Sequence, residues 1–169
     1  FGNVTTLAGT GTPGATDGPG TSATFNEPWG IACDTLGNIY VADTRNYKIR
    51  KIDASGNVTT LAGMGVFGVT NGLNAIAQFG FPSGIAVNKN GSIIYVSDRM
   101  TNTIRKIENG SVTTFAGTVY TPGSNDGQGL AAKFDHPNGL ALDDAGNVLV
   151  ADEFNNKIRK ITPAGLVTT

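Results

Sequence analysis

Charge is scarce in this chain: Asp, Glu, Lys and Arg make up 15% of its 169 residues, and the formal net charge is −1. No general electrostatic pull toward phosphate backbones or anionic lipid follows, which disfavours nucleic acid as a partner. Cys33 is the only cysteine, so neither a disulfide framework nor a cysteine metal site can form within the chain, and a buried, inert thiol is expected. His136 is the only histidine. No run of about 18 apolar residues is present to span a membrane as a helix, and the N-terminus lacks the charged-then-apolar pattern of a signal peptide. No stretch sustains a helical apolar period, so no helix is expected.

Glycine, threonine and asparagine are abundant instead, a composition that suits a secreted or cell-surface bacterial β protein. They recur in order. Gly2-Asn3-Val4-Thr5-Thr6-Leu7-Ala8-Gly9 returns at Gly56 to Gly63 and, with small changes, at Gly110 to Gly117; a further copy begins at Gly165. The spacings are 54, 54 and 55 residues, and a fixed period of that size indicates an array of similar structural units. The chain opens inside a repeat, at Phe1-Gly2, which suggests a piece of something longer.

Within each period the apolar segments are short and bounded by turn residues, as buried strands are. Trp29 to Asp34 matches Ser83 to Asn88 and Asn138 to Asp143. A glycine-containing turn leads to a second strand that ends in Asp43, Asp98 or Asp152. A third strand carries Ile-Arg-Lys-Ile, with Arg50, Arg105 and Arg159, and the fourth is Val-Thr-Thr-Leu/Phe-Ala, whose β-branched residues suit a pleated surface. Each period therefore predicts a four-stranded antiparallel meander. The units lie at about 29–61, 83–115 and 137–169 of a single domain, 1–169, and the strand at 4–8 belongs to a neighbouring unit. The long linkers between them, such as Thr10 to Glu27, share an Asp-Gly or Asn-Gly, then Ala23, Ala77 or Ala132, then Phe25, Phe79 or Phe134. The aromatic is expected to pin the linker against a sheet.

Four short strands per unit, arranged radially, make a β-propeller blade. The order Pro-x-Gly-(Ile/Leu)-Ala, Val-Ala-Asp, Ile-Arg-Lys-Ile and Val-Thr-Thr-Leu-Ala-Gly resembles the NHL-repeat family, in particular a long-linker bacterial subgroup. The resemblance covers essentially the whole chain and implies an all-β propeller with three blades per chain, half of the six-bladed ring usual in that family. It also implies a binding platform.

The three copies serve as an internal comparison. The identical aspartates are read as closing loops by accepting backbone N–H groups, and the identical arginines as packing between blades with their guanidinium paired to an acid or a carbonyl. A basic ring for an anionic ligand is the alternative for the arginines.

The copies diverge on one rim, at Arg45, Tyr47, Arg99, Met100, Glu153 and Phe154 after the second strand, and at Glu27, Trp29, Phe81, Asp135, His136 and Asn138 around the first. These twelve form the expected ligand surface. No catalytic triad or phosphate loop is legible, and no cofactor or metal is called for. The reading is a non-enzymatic scaffold presenting a variable rim to a protein or glycan. The alternative is part of a lactonase-like or lyase-like enzyme with a divalent cation near Glu27, Asp135 and His136. Three blades cannot close a ring of the usual four to eight. The expected partner is a second copy completing six blades, or further blades of a longer chain.

Overall fold

The computed structural model describes residues 2–169. Each period folds into one antiparallel sheet, giving three. The first holds β1 (Gly18–Pro19), β2 (Pro28–Cys33), β3 (Ile39–Asp43), β4 (Lys48–Ile52) and β5 (Asn57–Ala62). The second holds β6 (Gly72–Leu73), β7 (Pro82–Val87), β8 (Ile93–Asp98), β9 (Thr103–Glu108) and β10 (Ser111–Ala116). The third holds β11 (Gly127–Gln128), β12 (Pro137–Leu142), β13 (Val148–Asp152), β14 (Lys157–Ile161) and β15 (Leu166–Thr168).

The sheets are five-stranded, not four-stranded as expected. The additional strand is two residues of linker laid against the outer edge, in registers Gly18↔Val58, Gly72↔Val112 and Gly127↔Val167. It satisfies backbone groups that the outer strand would otherwise leave open. The expectation of no helix is also corrected, although only to single turns. Three-residue 3₁₀ turns at Thr44–Asn46, Arg99–Thr101 and Glu153–Asn155 follow the three aspartates, and another lies at Gly129–Ala131. The segment Gly2–Leu7 forms no strand within this chain, and Val4 is 97% exposed. Cys33 is exposed, contrary to the buried thiol expected of it.

The sheets stand side by side, β2 against β7 and β7 against β12. Their inner strands run so close that a methyl group on Gly30 would collide with the Ser83 carbonyl, and one on Gly84 with the Asn138 carbonyl. Only glycine permits that approach. Farther out, the linkers fill the space between sheets. Ala77 and Phe79 join a core with Ile49 and Ala62 of the first sheet and Ile107 and Val112 of the second. Ala132 and Phe134 do the same between the second and third. Phe79 and Phe134 are fully buried, whereas Phe25, which has a sheet on one side only, is half-buried.

Candidate functional site

The rim is positioned by a buried ionic framework, repeated in every sheet. Asp43 Oδ1 accepts the Asn26 N–H at 2.8 Å, Asp152 Oδ1 the Asp135 N–H at 2.8 Å, and Asp98 the N–H groups of Gly80 and Phe81 at 2.9 and 2.7 Å. The aspartates do accept backbone N–H groups, as read from the sequence, but those of the preceding linker and not of the turn that follows, which they do not cap. The same carboxylates receive the guanidinium of Arg50 at 2.7 Å, Arg105 at 3.4 Å and Arg159 at 2.8 Å. Each arginine is fully buried, donates to linker carbonyls and lies 5.1–5.3 Å from the ring centre of Phe25, Phe79 or Phe134. Arginine and phenylalanine thus clamp the linker together. These three guanidinium groups are enclosed, so they present no basic ring to a ligand.

A second acceptor for each arginine distinguishes the sheets. Arg50 reaches Asp17 at 2.6 Å and Arg159 reaches Asp126 at 2.7 Å, but Arg105 meets the neutral Asn71 at 2.7 Å. The hydrogen bond from Arg159 holds the Asp126 carboxyl below its ordinary range. In the middle sheet burial dominates instead, pushing the Asp98 carboxyl up and the Arg105 guanidinium down.

On this frame the divergent residues gather into two clusters, each bridging neighbouring sheets. In the first, Arg45 Nε donates to Glu27 at 2.9 Å and its guanidinium lies 5.8 Å from the ring centre of Phe81, which meets Trp29 edge-on at 5.4 Å. In the second, Arg99 donates twice to Glu153 at 3.1 Å and lies 5.4 Å from the Phe154 ring centre. Asn138 also donates to Glu153, at 3.2 Å, and His136 stacks on Phe154 at 4.2 Å with its Nδ1 2.7 Å from Asp135. The Arg99 hydrogen bonds keep Glu153 ionised below the usual 4.5. Tyr47 pairs with Phe67 at 5.9 Å, outside both clusters, and Met100 is exposed without joining either.

Two cluster residues have a backbone that the sequence did not signal. Glu27 and His136 adopt left-handed φ of 48° and 54°, although each precedes a proline, a position that normally favours extended backbone. The His136 N–H is held there by Asn102 Oδ1 of the preceding sheet at 2.9 Å. Such conformations cost about 1–3 kcal/mol each and concentrate at functional sites. Glu27, Asp135 and His136 do not assemble into a cation site: Glu27 is bonded to Arg45 and Asp135 to His136. Among the described residues no three His, Cys, Asp or Glu side chains could jointly hold a metal.

Comparison with known proteins agrees with this architecture. The NHL repeat model matches residues 25–52 and 134–161. A human relative, NHL repeat-containing protein 2, is 36% identical over 98 residues, covering 56% of this chain and 14% of its own length. An auxiliary nutrient binding protein from Bacteroides thetaiotaomicron superposes with a TM-score of 0.64 at 26% identity, over 73% of this chain and 34% of that one. A gluconolactonase from Xanthomonas campestris shares the fold alone, with a TM-score of 0.60 at 14% identity, over 85% of this chain and 47% of that one. The chain therefore spans about a seventh, a third and a half of these three proteins.

Proposed function

Given that the chain belongs to the NHL-repeat proteins, we propose that it is a scaffold segment of a six-bladed propeller whose variable rim binds a protein or glycan without catalysis. One observation carries the reading. The aspartate, arginine and phenylalanine identical in all three repeats build the enclosed frame, while ten of the rim residues that differ form two pre-ordered surface clusters of aromatic, guanidinium, carboxylate and amide groups. Aromatic and arginine side chains already held by neighbours lose little conformational entropy on binding, which suits them to anchor a ligand. The two clusters touch different neighbours and have different chemistry, so the ligand is expected to be longer than one cluster. The likeness to a nutrient binding protein supports a binding role.

The test is binding to an oligosaccharide array and to extracted cell-surface proteins, comparing the native chain with Trp29→Ala and Phe154→Ala. Each substitution should weaken binding with the fold intact by circular dichroism. Undiminished binding by both folded variants would move the site away from the rim. Hydrolysis of a lactone probe, lost on replacing Glu27 or Asp135, would establish the enzymatic alternative.

A further inference from the structure

At the end of the sheets opposite the variable rim, the first hairpin turns are not alike, and the difference opens a hollow between the second and third sheets. In the first and third sheets five residues, 34–38 and 143–147, separate the paired positions Cys33↔Ile39 and Leu142↔Val148. In the second sheet six residues, 88–93, separate Val87↔Ile94. The longer turn reaches over the first junction. The Thr35 N–H and hydroxyl both donate to the Lys89 carbonyl, at 2.9 and 2.7 Å, and a methyl group on Gly91 would collide with the Tyr40 hydroxyl. The shorter turn of the third sheet does not cover the second junction in this way: a methyl group on the equivalent Gly146 would touch only Pro163 of its own sheet. An exposed ion pair crosses there, Lys89 with Asp144 at 3.1 Å. The hollow has a volume of about 550 Å³, is walled by Val87, Ile93, Leu142 and Pro163, and reaches Tyr95.

Tyr95 brings a buried polar group to this hollow. Tyr40 and Tyr95 hold equivalent positions, 2% and 5% exposed. The Tyr40 hydroxyl donates to Asp34 at 3.0 Å. Asn88 replaces that aspartate in the second sheet and is engaged by its own turn, accepting the Ile93 N–H at 3.1 Å and donating to Ser92 at 3.0 Å. Among the described residues the Tyr95 hydroxyl bonds no other group, and it is not sealed in the core, so its proton is available to the hollow. Burial raises the phenol above its ordinary range, which keeps it a donor. Phe115, whose ring centre is 5.0 Å away, holds the Tyr95 ring in place.

We propose that this hollow binds a small neutral molecule of one or two hydrocarbon rings, whose carbonyl or ether oxygen accepts the Tyr95 hydroxyl proton. The volume is that of an ordinary small-molecule site, and apolar walls with one placed polar group are the usual composition of one. A sugar would leave most of its hydroxyls unpaired against these walls, at a cost. An anion is disfavoured. Asn147 bonds the Asp143 carboxyl twice, at 2.7 and 2.8 Å, and holds it ionised below its ordinary range, while the one lysine at the mouth is engaged by Asp144. The hollow lies at the opposite end of the sheets from the two rim clusters, so its occupancy does not depend on what the rim binds.

Fluorescence titration with prodan, a neutral fused-ring ketone whose emission moves to the blue in apolar surroundings, tests the assignment. The native chain should bind one prodan with a blue shift, and the anionic anilinonaphthalene sulfonate should bind more weakly. Tyr95→Phe keeps the ring and removes the donor, so it should fold as the native chain does and weaken prodan binding about fivefold. Leu142→Trp fills the hollow and should abolish binding, with circular dichroism confirming the fold. No saturable prodan binding by the native chain, tighter binding of the sulfonate, or native affinity in either folded variant overturns the proposal.

Discussion

Ile85 in the middle sheet is 5% exposed and Ile31, at the same position of the first sheet, is 67% exposed. Strand β7 is buried over Pro82–Ala86, whereas no residue of β2 is buried. The middle sheet also gives its buried Arg105 one aspartate, Asp98, and the neutral Asn71, while its neighbours hold each arginine between two aspartates. Equal sequence therefore does not mean equal energy in an array. A residue's contribution is set by whether a neighbour covers it and by which small substitution, such as Asn71 for Asp17, surrounds it.

The largest effect should come from breaking the buried pair where it has least support. Asp98→Ala strands a buried guanidinium and two loop N–H groups, so unfolding by denaturant should show a loss of about 3–5 kcal/mol. Asp43→Ala should lose less, since Arg50 keeps Asp17. Equal losses would mean that the second aspartate does not support its arginine.

Next in size is the aromatic clamp. Phe79→Ala should cost about 3–5 kcal/mol and open the stretch from Gly63 to Pro82 to protease, while Phe25→Ala costs less because one side already faces water. A linker that stays protease-resistant in Phe79→Ala is held by Arg105 instead. A gain of up to about 1 kcal/mol is expected from Asn71→Asp, which gives Arg105 the charged acceptor its counterparts have. Unchanged or lower melting temperature would show that Asn71 is preferred in the middle sheet for another reason.

Acid provides the smallest effect. The Glu153 carboxyl is held below its ordinary 4.5 by Arg99, so its contribution is present above that pH and is lost as pH falls through the depressed value. The pair is partly exposed, and the loss should stay under about 1 kcal/mol. Titration of the melting temperature in native protein and Arg99→Ala checks it: the acid limb should be shallower in the variant.

Most of the fold was legible because each period repeats its own turn and strand residues, and the identical Asp43, Arg50 and Phe25 with their copies were correctly assigned to the frame. The fifth strands were not. Gly18–Pro19 has two residues and no alternation to read, and it becomes a strand only because β5 offers an open edge. Val4–Ala8 shows the converse. It has nearly the residues of β5 and remains unpaired, since strand formation depends on a partner more than on propensity. At the rim, divergence among copies located ten of twelve candidates in two clusters but left Tyr47 and Met100 outside them. The left-handed backbones of Glu27 and His136 had no sequence signal, being imposed on His136 by a side chain in another sheet.

The strap strands carry a consequence for descent. A period counted from Gly56 or Gly110 begins in the outer strand of one sheet, crosses to edge the next, and then supplies that next sheet's inner three strands. The heritable unit and the folded unit are thus out of phase. A tandem duplication of one period inserts no free-standing module; it inserts a stitch that arrives already sewn to both neighbours, so such a gene can lengthen one repeat at a time without ever encoding a loose blade.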